Sequence, residues 1–266
     1  MKKKIFCPET VSEELKEFRD IAEIHIFDEL ASTNDTVRQY TRALSGSDPR
    51  RSVIVISEKQ LSGRGRTGRV FYSPEGGIYM SVMFRPELIP EDLALITPCA
   101  AVAVCRALCA LTNTDPGIKW VNDIYVSGKK VCGILTESFS ADGVLFAVSG
   151  IGINMYEPKD GFPEDIAGRA AAVFGPKEKT DTELMSRAAG ITARELLRTV
   201  GGIPERSFVD EYRSRSVVTE KDITVIRGEK RIHAFASGID DDCRLFVKYG
   251  DGSTERLSSG EVSLEL

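Results

Sequence analysis

Arginine and glycine alternate in the segment GRGRTGRVFYSP, residues 63–74, and they offer chemistry that suits an anion. Guanidinium groups carry forked donors that match a carboxylate or a phosphate, and glycines let the backbone approach a ligand closely. The arginines are Arg64, Arg66 and Arg69, and the glycines are Gly63, Gly65 and Gly68. The composition predicts an anion-binding loop. A solvated basic loop has the same composition, so these residues alone leave both interpretations open.

A second polar group lies in KWVNDIYVSGKKVCG, residues 119–133. Asn122 and Asp123 stand between apolar residues, where burial without partners is costly. They could hold an adenosine or a magnesium-bound polyphosphate, or they could form a simple turn at a strand end. Lys130 follows the SGK turn, and Lys129 should point to the opposite face because side chains alternate along a strand. We therefore expect only one of these lysines to serve a site beside the arginine loop.

Two shorter segments add weaker evidence for a ligand site. In SGIGINM, residues 149–155, small residues alternate along a predicted strand and leave room against the sheet, and Asn154 adds a polar end. In STND, residues 32–35, Ser32 is a candidate helix N-cap, and the same amides and hydroxyls could hold a polar ligand group. Each segment also has a purely structural interpretation.

The surrounding sequence predicts the elements that position these residues. Apolar and β-branched runs predict strands at 23–30, 52–57, 76–84, 117–126, 130–139 and 144–155, and the SGK and SADG joints favour antiparallel hairpins. Helical spacing predicts helices from 10 (with Thr10 and Glu13 as a capping box), 32–44, 90–111 (bent or restarted at Pro98), 181–200 and 204–216. Residues 157–180 are predicted as a surface loop. From about residue 218 the pattern becomes purely β, which predicts a small barrel of about fifty residues.

Composition narrows the classes of protein. The chain has 266 residues, 42% of them hydrophobic, and a net charge of −5, which argues against bulk nucleic-acid binding. The N-terminus has no apolar core of a signal peptide, and the longest uncharged apolar run, 93–105, is shorter than the roughly 20 residues of a membrane span. The six cysteines include no C-x-x-C pair, which argues against a zinc site. They are predicted to be buried thiols, including Cys105 and Cys109. Scattered cysteines in a chain of this size indicate a reducing compartment. We expect a cytoplasmic protein.

Together and in this order, the motifs resemble those of the biotin protein ligases. The matching words are STND, SEKQLSGRGRTGR, GGIYMSVMFRP, KWVNDIYVSGKKVCGIL, GIGIN, GID and SGEVSLEL, which span residues 28–265. The resemblance implies an α+β fold: a mixed, largely antiparallel sheet with helices, as in class II synthetases, followed by an SH3-like β-barrel. The pattern change near residue 218 then predicts a catalytic domain at 1–217 and a C-terminal domain at 218–266.

The resemblance also implies a reaction with two steps. The biotin carboxylate attacks the α-phosphate of ATP, which releases pyrophosphate and leaves biotinyl-5'-AMP. A lysine amine of a biotin carboxyl carrier domain then attacks the activated carbonyl. ATP is expected with Mg²⁺, and no metal held by protein ligands alone is expected. The first step brings two anions together, so cations must offset their repulsion.

By this resemblance, the residues predicted to be catalytic are Arg64, Arg66 and Lys130. Those predicted to bind biotin are Ser32, Thr33, Asn34, Gln60, Gly63, Arg64, Gly65, Arg66, Lys130, Gly133 and Gly152. Those predicted to bind ATP or the adenylate are Arg66, Phe71, Asn122, Asp123, Lys130 and Asn154. Three positions depart from the family's pattern: Phe71 replaces a frequent tryptophan, Thr67 a frequent basic residue and Glu265 a usually basic residue.

Partners and alternatives follow from the same motifs. We expect biotin, ATP and a carrier domain as partners, no nucleic acid, no membrane, and a monomer or homodimer. The motifs begin too near Met1 for the operator-binding winged helix of some family members, so the expected ligase lacks repressor activity. The alternatives are a lipoate or octanoate ligase or transferase of the same fold, a nucleic-acid-binding module that uses the arginine loop, and a biotin-binding regulator without transfer activity.

Overall fold

A seven-stranded mixed sheet forms the centre of the computed structural model, which describes residues 4–44, 48–176 and 180–264. Its strands are β1 (Ala22–Phe27), β2 (Ser52–Ser57), β3 (Gly77–Phe84), β4 (Gly117–Lys119), β5 (Asp123–Val126), β6 (Lys129–Ala141) and β7 (Val144–Asn154). Their order is β1-β2-β3-β7-β6-β5-β4. β1 and β2 are parallel, and every other neighbouring pair is antiparallel. This arrangement confirms the predicted mixed, largely antiparallel sheet.

Two tight turns connect the antiparallel strands β5, β6 and β7. Ser127 and Gly128 connect β5 to β6, and Asp142 and Gly143 connect β6 to β7, all with positive φ. A two-residue hairpin turn with positive φ at both positions matches the right-handed twist of the strands it joins. The hairpins predicted from SGK and SADG are therefore confirmed.

Helices cover both faces of this sheet. They are α1 (Pro8–Glu14), α2 (Thr33–Val37), α3 (Thr41–Leu44), α4 (Ile96–Leu111), α5 (Glu164–Ala167), α6 (Thr182–Gly201) and α7 (Val209–Ser214). α4 and α6 pack together on one face, where Ile54 and Ile56 of β2 point. α2 and α3 lie on the other face, where Val53 and Val55 point. β2 is buried along its whole length because both of its faces are covered.

The apolar segment at 90–111 contains two helices. A 3₁₀ helix at Pro90–Leu95 leads into α4, so the predicted restart lies at Ile96 and not at Pro98. Pro98 lies in the first turn of α4, where a missing N–H breaks no helical bond. By length and composition this segment could cross a membrane, but 67% of its most apolar stretch is buried inside the protein. It is the core helix between the sheet and α6.

Three other expectations need correction. α1 begins at Pro8 with Cys7 as N-cap, because proline suits the first helical position; Thr10 lies inside the helix and its hydroxyl donates to Glu183. The strand predicted over 117–126 is two strands, β4 and β5, with a turn between them. Cys109 is exposed, whereas Cys105 is buried as expected.

The C-terminal residues form a separate five-stranded antiparallel sheet. Its strands are β8 (Lys221–Arg227), β9 (Lys230–Ile239), β10 (Leu245–Tyr249), β11 (Thr254–Leu257) and β12 (Glu261–Leu264), in the order β11-β10-β9-β8-β12. Its buried face belongs to the same apolar cluster as α4, α6 and the inner face of the large sheet. The boundary between residues 217 and 218 stays a prediction.

Candidate functional site

A buried polar pocket lies at the start of α2, on the sheet face that carries α2 and α3. The backbone N–H and hydroxyl of Thr33 lie 2.8 and 3.1 Å from the Gln60 side-chain oxygen. The Gln60 amide donates in turn to Ser73 Oγ at 3.1 Å. Ser32 is buried at the N-cap position, but its side chain makes no capping bond. The STND segment thus starts a helix and also orients the side chain of Gln60.

Asn34 extends this pocket towards the centre of the sheet. Its Nδ2 donates to Glu137 at 2.8 Å, and its Oδ1 lies 2.6 Å from the hydroxyl of Ser81, which is 2.8 Å from Thr33 Oγ1. A methyl group on Gly150 would come within 2.2 Å of Asn34 Oδ1. Gly150 therefore makes room for the Asn34 amide. We call Thr33, Asn34, Gln60, Ser73 and Ser81 the polar pocket.

The segment at residues 63–71, here called the arginine loop, folds back on itself. The amide of Phe71 donates to the Gly63 carbonyl at 2.9 Å, and the amide of Gly65 donates to the Arg69 carbonyl at 2.7 Å. Thr67 and Gly68 close the tip with φ values of 54° and 75°. A side chain on Gly63 would collide with the Phe71 carbonyl at 2.4 Å. Gly63 permits close packing, and Gly68 permits the left-handed turn.

Two of the loop's arginines contact different parts of the sheet face. Arg64 donates to Asp35 at 2.6 Å and lies 3.5 Å from Glu137, so two carboxylates balance its charge. Arg66 donates to Asn122 Oδ1 at 3.0 Å. The structure thus brings Arg66 to the Asn-Asp segment, as the predicted site requires, and places Arg64 at the side of the polar pocket.

The third arginine contacts the C-terminal sheet. Arg69 donates two hydrogen bonds, at 2.8 and 2.6 Å, to the carboxylate of Glu261 on β12. These bonds raise the pKa of Arg69. Burial works to raise the pKa of Glu261, but the Arg69 guanidinium brings it below its ordinary value. Glu261 was not among the predicted site residues, because no local pattern links positions 192 residues apart.

Lys130 lies beside a floor of glycines. Its amine forms a 2.7 Å ion pair with Asp123, and a methyl group on Gly133 would lie 3.2 Å from it. The ring of Phe71 covers Gly133 and Gly152, whose added methyl groups would lie 2.9 and 2.4 Å from ring carbons. These glycines were predicted to approach the ligand, and in the structure they lie against Phe71. Lys129 is exposed, and the Lys130 amine lies 6.0 Å from the centre of the Phe71 ring.

The glycine floor is one straight row across four strands. Tyr79 pairs with Gly152, Gly152 with Gly133, and Gly133 with Asp123. Ser81 of the polar pocket is two residues from Tyr79 along β3, so it points to the same face about 6.7 Å away. The polar pocket and the charged row are therefore neighbours on one surface.

Lys119 adds a cation that was not among the predicted site residues. Burial lowers its pKa, while the carboxylates of Asp123 and Glu261 oppose that shift. Its amine lies 5.6 Å from the centre of the Tyr125 ring. The signal that could have identified it is its place in the same segment as Asn122.

The turn between β4 and β5 is held by side chains from distant elements. The indole of Trp120 donates to the Cys243 carbonyl at 2.9 Å, and the hydroxyl of Tyr212 donates to the Val121 carbonyl at 3.1 Å. Asn122 donates to the Ile134 carbonyl at 2.8 Å. These bonds fix the position of Asn122 and the start of β5.

Asn154, another predicted site residue, lies at the edge of this surface. Asn154 is buried and its amide donates to the Ala171 carbonyl at 3.1 Å, so it holds the segment after β7. Glu265 lies outside the described residues. Within the described ranges, no group of three or more His, Cys, Asp or Glu side chains could hold a metal ion.

Two family profiles match this chain. The profile of the biotin/lipoate A/B protein ligase family matches residues 29–154, and that of the biotin protein ligase C-terminal domain matches residues 220–265. The first spans the polar pocket, the arginine loop and the row that ends at Asp123. The second spans the strands that carry Glu261.

Several known proteins are similar to this chain. The bifunctional ligase/repressor BirA of Bacillus spizizenii is 31% identical over 248 residues, which cover 89% of this chain and 72% of that protein. The biotin–[acetyl-CoA-carboxylase] ligase of Paracoccus denitrificans is 29% identical over 242 residues, which cover 87% of this chain and 96% of that protein. A solved structure of the Aquifex aeolicus biotin protein ligase in complex with biotin and ATP superposes on this chain with a TM-score of 0.69. The two are 24% identical, and the match covers 91% of this chain and 98% of that one.

Proposed function

The chain belongs to the biotin protein ligase family, and from that premise we propose that it activates biotin with ATP and transfers it to a protein lysine. In the first step a biotin carboxylate oxygen bonds to the α-phosphorus of ATP as the bond to pyrophosphate breaks. In the second, the amine of a carrier-domain lysine bonds to the acyl carbon and AMP leaves. The acceptor is proposed to be the biotin carboxyl carrier domain of a carboxylase.

One observation carries this proposal: the uncharged polar pocket adjoins, on the same sheet face, the charged row that ends at Asp123, where Lys130 supplies a cation. The pocket offers amide and hydroxyl groups, such as those of Thr33 and Gln60, to the uncharged ureido ring of biotin. We propose that the carboxylate at the other end of biotin meets the nucleotide at the row, and the Lys130 amine beside Gly133 supports this. The two ends of the substrate match the two parts of the surface.

The need to balance negative charge suggests roles for the cations beside the row. A carboxylate and a phosphate repel each other, and fixed cations lower the cost of bringing them together. Lys130 and Arg66 are proposed to supply that charge, with Asn122 and Asp123 beside them. Arg64 is predicted to share the task, but it faces two carboxylates and so contributes less positive charge.

Mg²⁺ is proposed to arrive with ATP as part of the substrate. It usually binds through one or two carboxylates together with phosphate oxygens. Asp123 supplies a carboxylate at the nucleotide end of the row, and the Asn122 amide oxygen lies on the adjacent residue. Phe71 is proposed to pack against the nucleotide, since its ring already covers the glycine floor.

Two neighbouring lysines provide a matched test. Lys130→Gln should lower biotin-dependent exchange of pyrophosphate into ATP by about a hundredfold or more, because a positioned cation at developing charge is worth that much. Lys129→Gln, an exposed neighbour, should stay near the wild-type rate. Equal losses in both variants would contradict the assignment of Lys130.

The function itself is tested by labelling a purified carrier domain with biotin, ATP and Mg²⁺. We expect label on one carrier lysine and pyrophosphate exchange with biotin. Exchange with lipoate alone would overturn the proposal in favour of a lipoate ligase, and biotin binding without label would indicate a regulator. A cytoplasmic location, a monomer or homodimer, and the absence of repressor activity also belong to the proposal, and a DNA-binding assay with biotin and ATP tests the last.

A further inference from the structure

The carboxylate of Glu261 reaches the arginine loop from a different sheet. It accepts hydrogen bonds from both terminal nitrogens of Arg69, at 2.8 and 2.6 Å. Paired hydrogen bonds of this kind fix orientation as well as distance. Arg66 and Lys119 also act electrostatically on this carboxylate, so Glu261 lies at the cationic side of the proposed site.

Arg69 is the point at which one restraint can hold the whole loop. Its carbonyl accepts the amide of Gly65, and two residues later the amide of Phe71 bonds to Gly63. Fixing Arg69 therefore fixes both halves of the folded-back segment. Arg66 lies between Gly65 and Arg69, and Phe71 is two residues beyond Arg69. The positions of Arg66 and Phe71 therefore depend on that of Arg69.

The two sides of this ion pair differ in how firmly they are anchored. Glu261 pairs with Ile226 of β8, and the next residue, Val262, is 1% exposed in the apolar cluster. In contrast, Val70, the residue after Arg69, is 84% exposed, so little apolar packing holds the loop at that point. A firmly held carboxylate thus restrains a lightly packed loop.

We propose that Glu261 is a positioning residue that holds Arg69 and keeps the arginine loop closed across the site while the adenylate is bound. The inference rests on the proposed function, because it concerns retention of biotinyl-5'-AMP. Breaking the pair lets the loop open more often, so the mixed anhydride escapes before a carrier lysine arrives. Glu261 acts through Arg69 and needs no contact with the substrate.

The test compares Glu261→Gln with Glu255→Gln. Glu255 on β11 of the same sheet has a side chain that is 38% exposed, against 39% for Glu261, and it accepts hydrogen bonds from Arg227 away from the loop, so it provides a matched control. Release of the adenylate into a trap should be about fivefold faster in Glu261→Gln, the upper end for an exposed ion pair, and unchanged in Glu255→Gln. The charge-swapped double variant Arg69→Glu with Glu261→Arg should recover most of the retention.

A second readout needs no reaction. Amide hydrogen exchange of Gly65 and Phe71, measured without ligand, should rise by a similar factor in Glu261→Gln, stay unchanged in Glu255→Gln and recover in the double variant. Unchanged exchange in Glu261→Gln overturns the proposal, and so does faster exchange with unchanged release. A wild-type protein that forms no adenylate contradicts the proposed function instead, and the exchange experiment still decides whether Glu261 holds the loop.

Discussion

Two glycines on the sheet face show how far single residues could be interpreted from sequence. The alternation of small residues in SGIGINM predicted space above β7, and the structure has that space. Its occupants could not be predicted: Asn34 fills it above Gly150, and Phe71 fills it above Gly152. Both occupants come from segments about 80 residues or more away, and one sequence carries no record of which side chain fills which gap.

Gly150→Ala tests this packing at the polar pocket. The new methyl group would meet Asn34 Oδ1 at 2.2 Å, and Asn34 cannot move without losing its bonds to Ser81 and Glu137. We expect a loss of unfolding free energy of about 1–3 kcal/mol and a KM for biotin that rises about tenfold, with little change in the KM for ATP.

Gly168→Ala is the matched control, because nothing lies within 4 Å of its added methyl group. Denaturant unfolding and steady-state kinetics on both variants decide the matter. A biotin KM in Gly150→Ala that equals the control's would show that Asn34 does not shape the biotin end of the site.

At the scale of elements, local patterns predicted the hairpins, but they left the turn between β4 and β5 only as an alternative to a continuous strand. The β5–β6 and β6–β7 turns depend on residues next to each other, such as Asp142 and Gly143, so the sequence shows them directly. The turn at 120–122 depends on Trp120 and Tyr212, whose bonds join residues 123 and 91 positions apart. A strand over 117–126 was predicted because apolar residues flank Asn122 and Asp123 on both sides, and a turn at these two residues stayed an alternative.

Tyr212→Phe tests whether α7 holds this turn. The change leaves the partly buried Val121 carbonyl without its donor, which should cost about 1 kcal/mol of unfolding free energy. Because Asn122 and Asp123 follow directly, we expect the KM for ATP to rise several-fold more than the KM for biotin.

Thr192→Val provides the comparison for a loss of stability alone. Thr192 is buried in α6 and donates to the Ala188 carbonyl, on the face of the sheet away from the polar pocket. Thr192→Val should lower the unfolding free energy, and the KM for ATP should not rise more than the KM for biotin. An equal rise of both KM values in Tyr212→Phe would mean that the tyrosine contributes only to stability.

For the whole molecule, composition predicted a globular chain with a large core, and the pattern change near residue 218 predicted its C-terminal sheet. Neither observation predicted that both sheets share one apolar cluster. Val225, Leu245 and Val262 of the small sheet pack into the cluster that contains Ile54 and Ile56 of the large one. Such packing joins positions 169 or more residues apart, and apolar residues in a sequence do not state which partners they face.

Deeply buried thiols in this core predict how stability responds to alkaline pH. Burial raises the pKa of Cys105 from 9.0 to about 12. The folded state therefore keeps a proton that the unfolded state loses, so the thiol's contribution is complete below pH 9 and is lost as the pH rises towards 12. Each such thiol lowers the unfolding free energy by about 1.4 kcal/mol per pH unit in this window.

Unfolding in urea at pH 8, 9.5 and 10.5 measures this slope. Cys105→Ala should show a slope that is shallower by about 1.4 kcal/mol per pH unit. Cys109→Ala, at an exposed thiol of the same helix, should keep the wild-type slope. Identical slopes in the two variants would contradict the assignment to burial.

The position of α4 has a consequence for synthesis of the chain. Its apolar surface is covered mainly by α6, which begins at Thr182, about 70 residues after α4 ends. At ordinary translation speeds the ribosome needs on the order of 10 seconds to make that stretch. During this interval the nascent chain carries a helix apolar enough to enter a bilayer, with its cover not yet made. Shielding of α4 by a chaperone until α6 has been made should therefore raise the yield of folded protein.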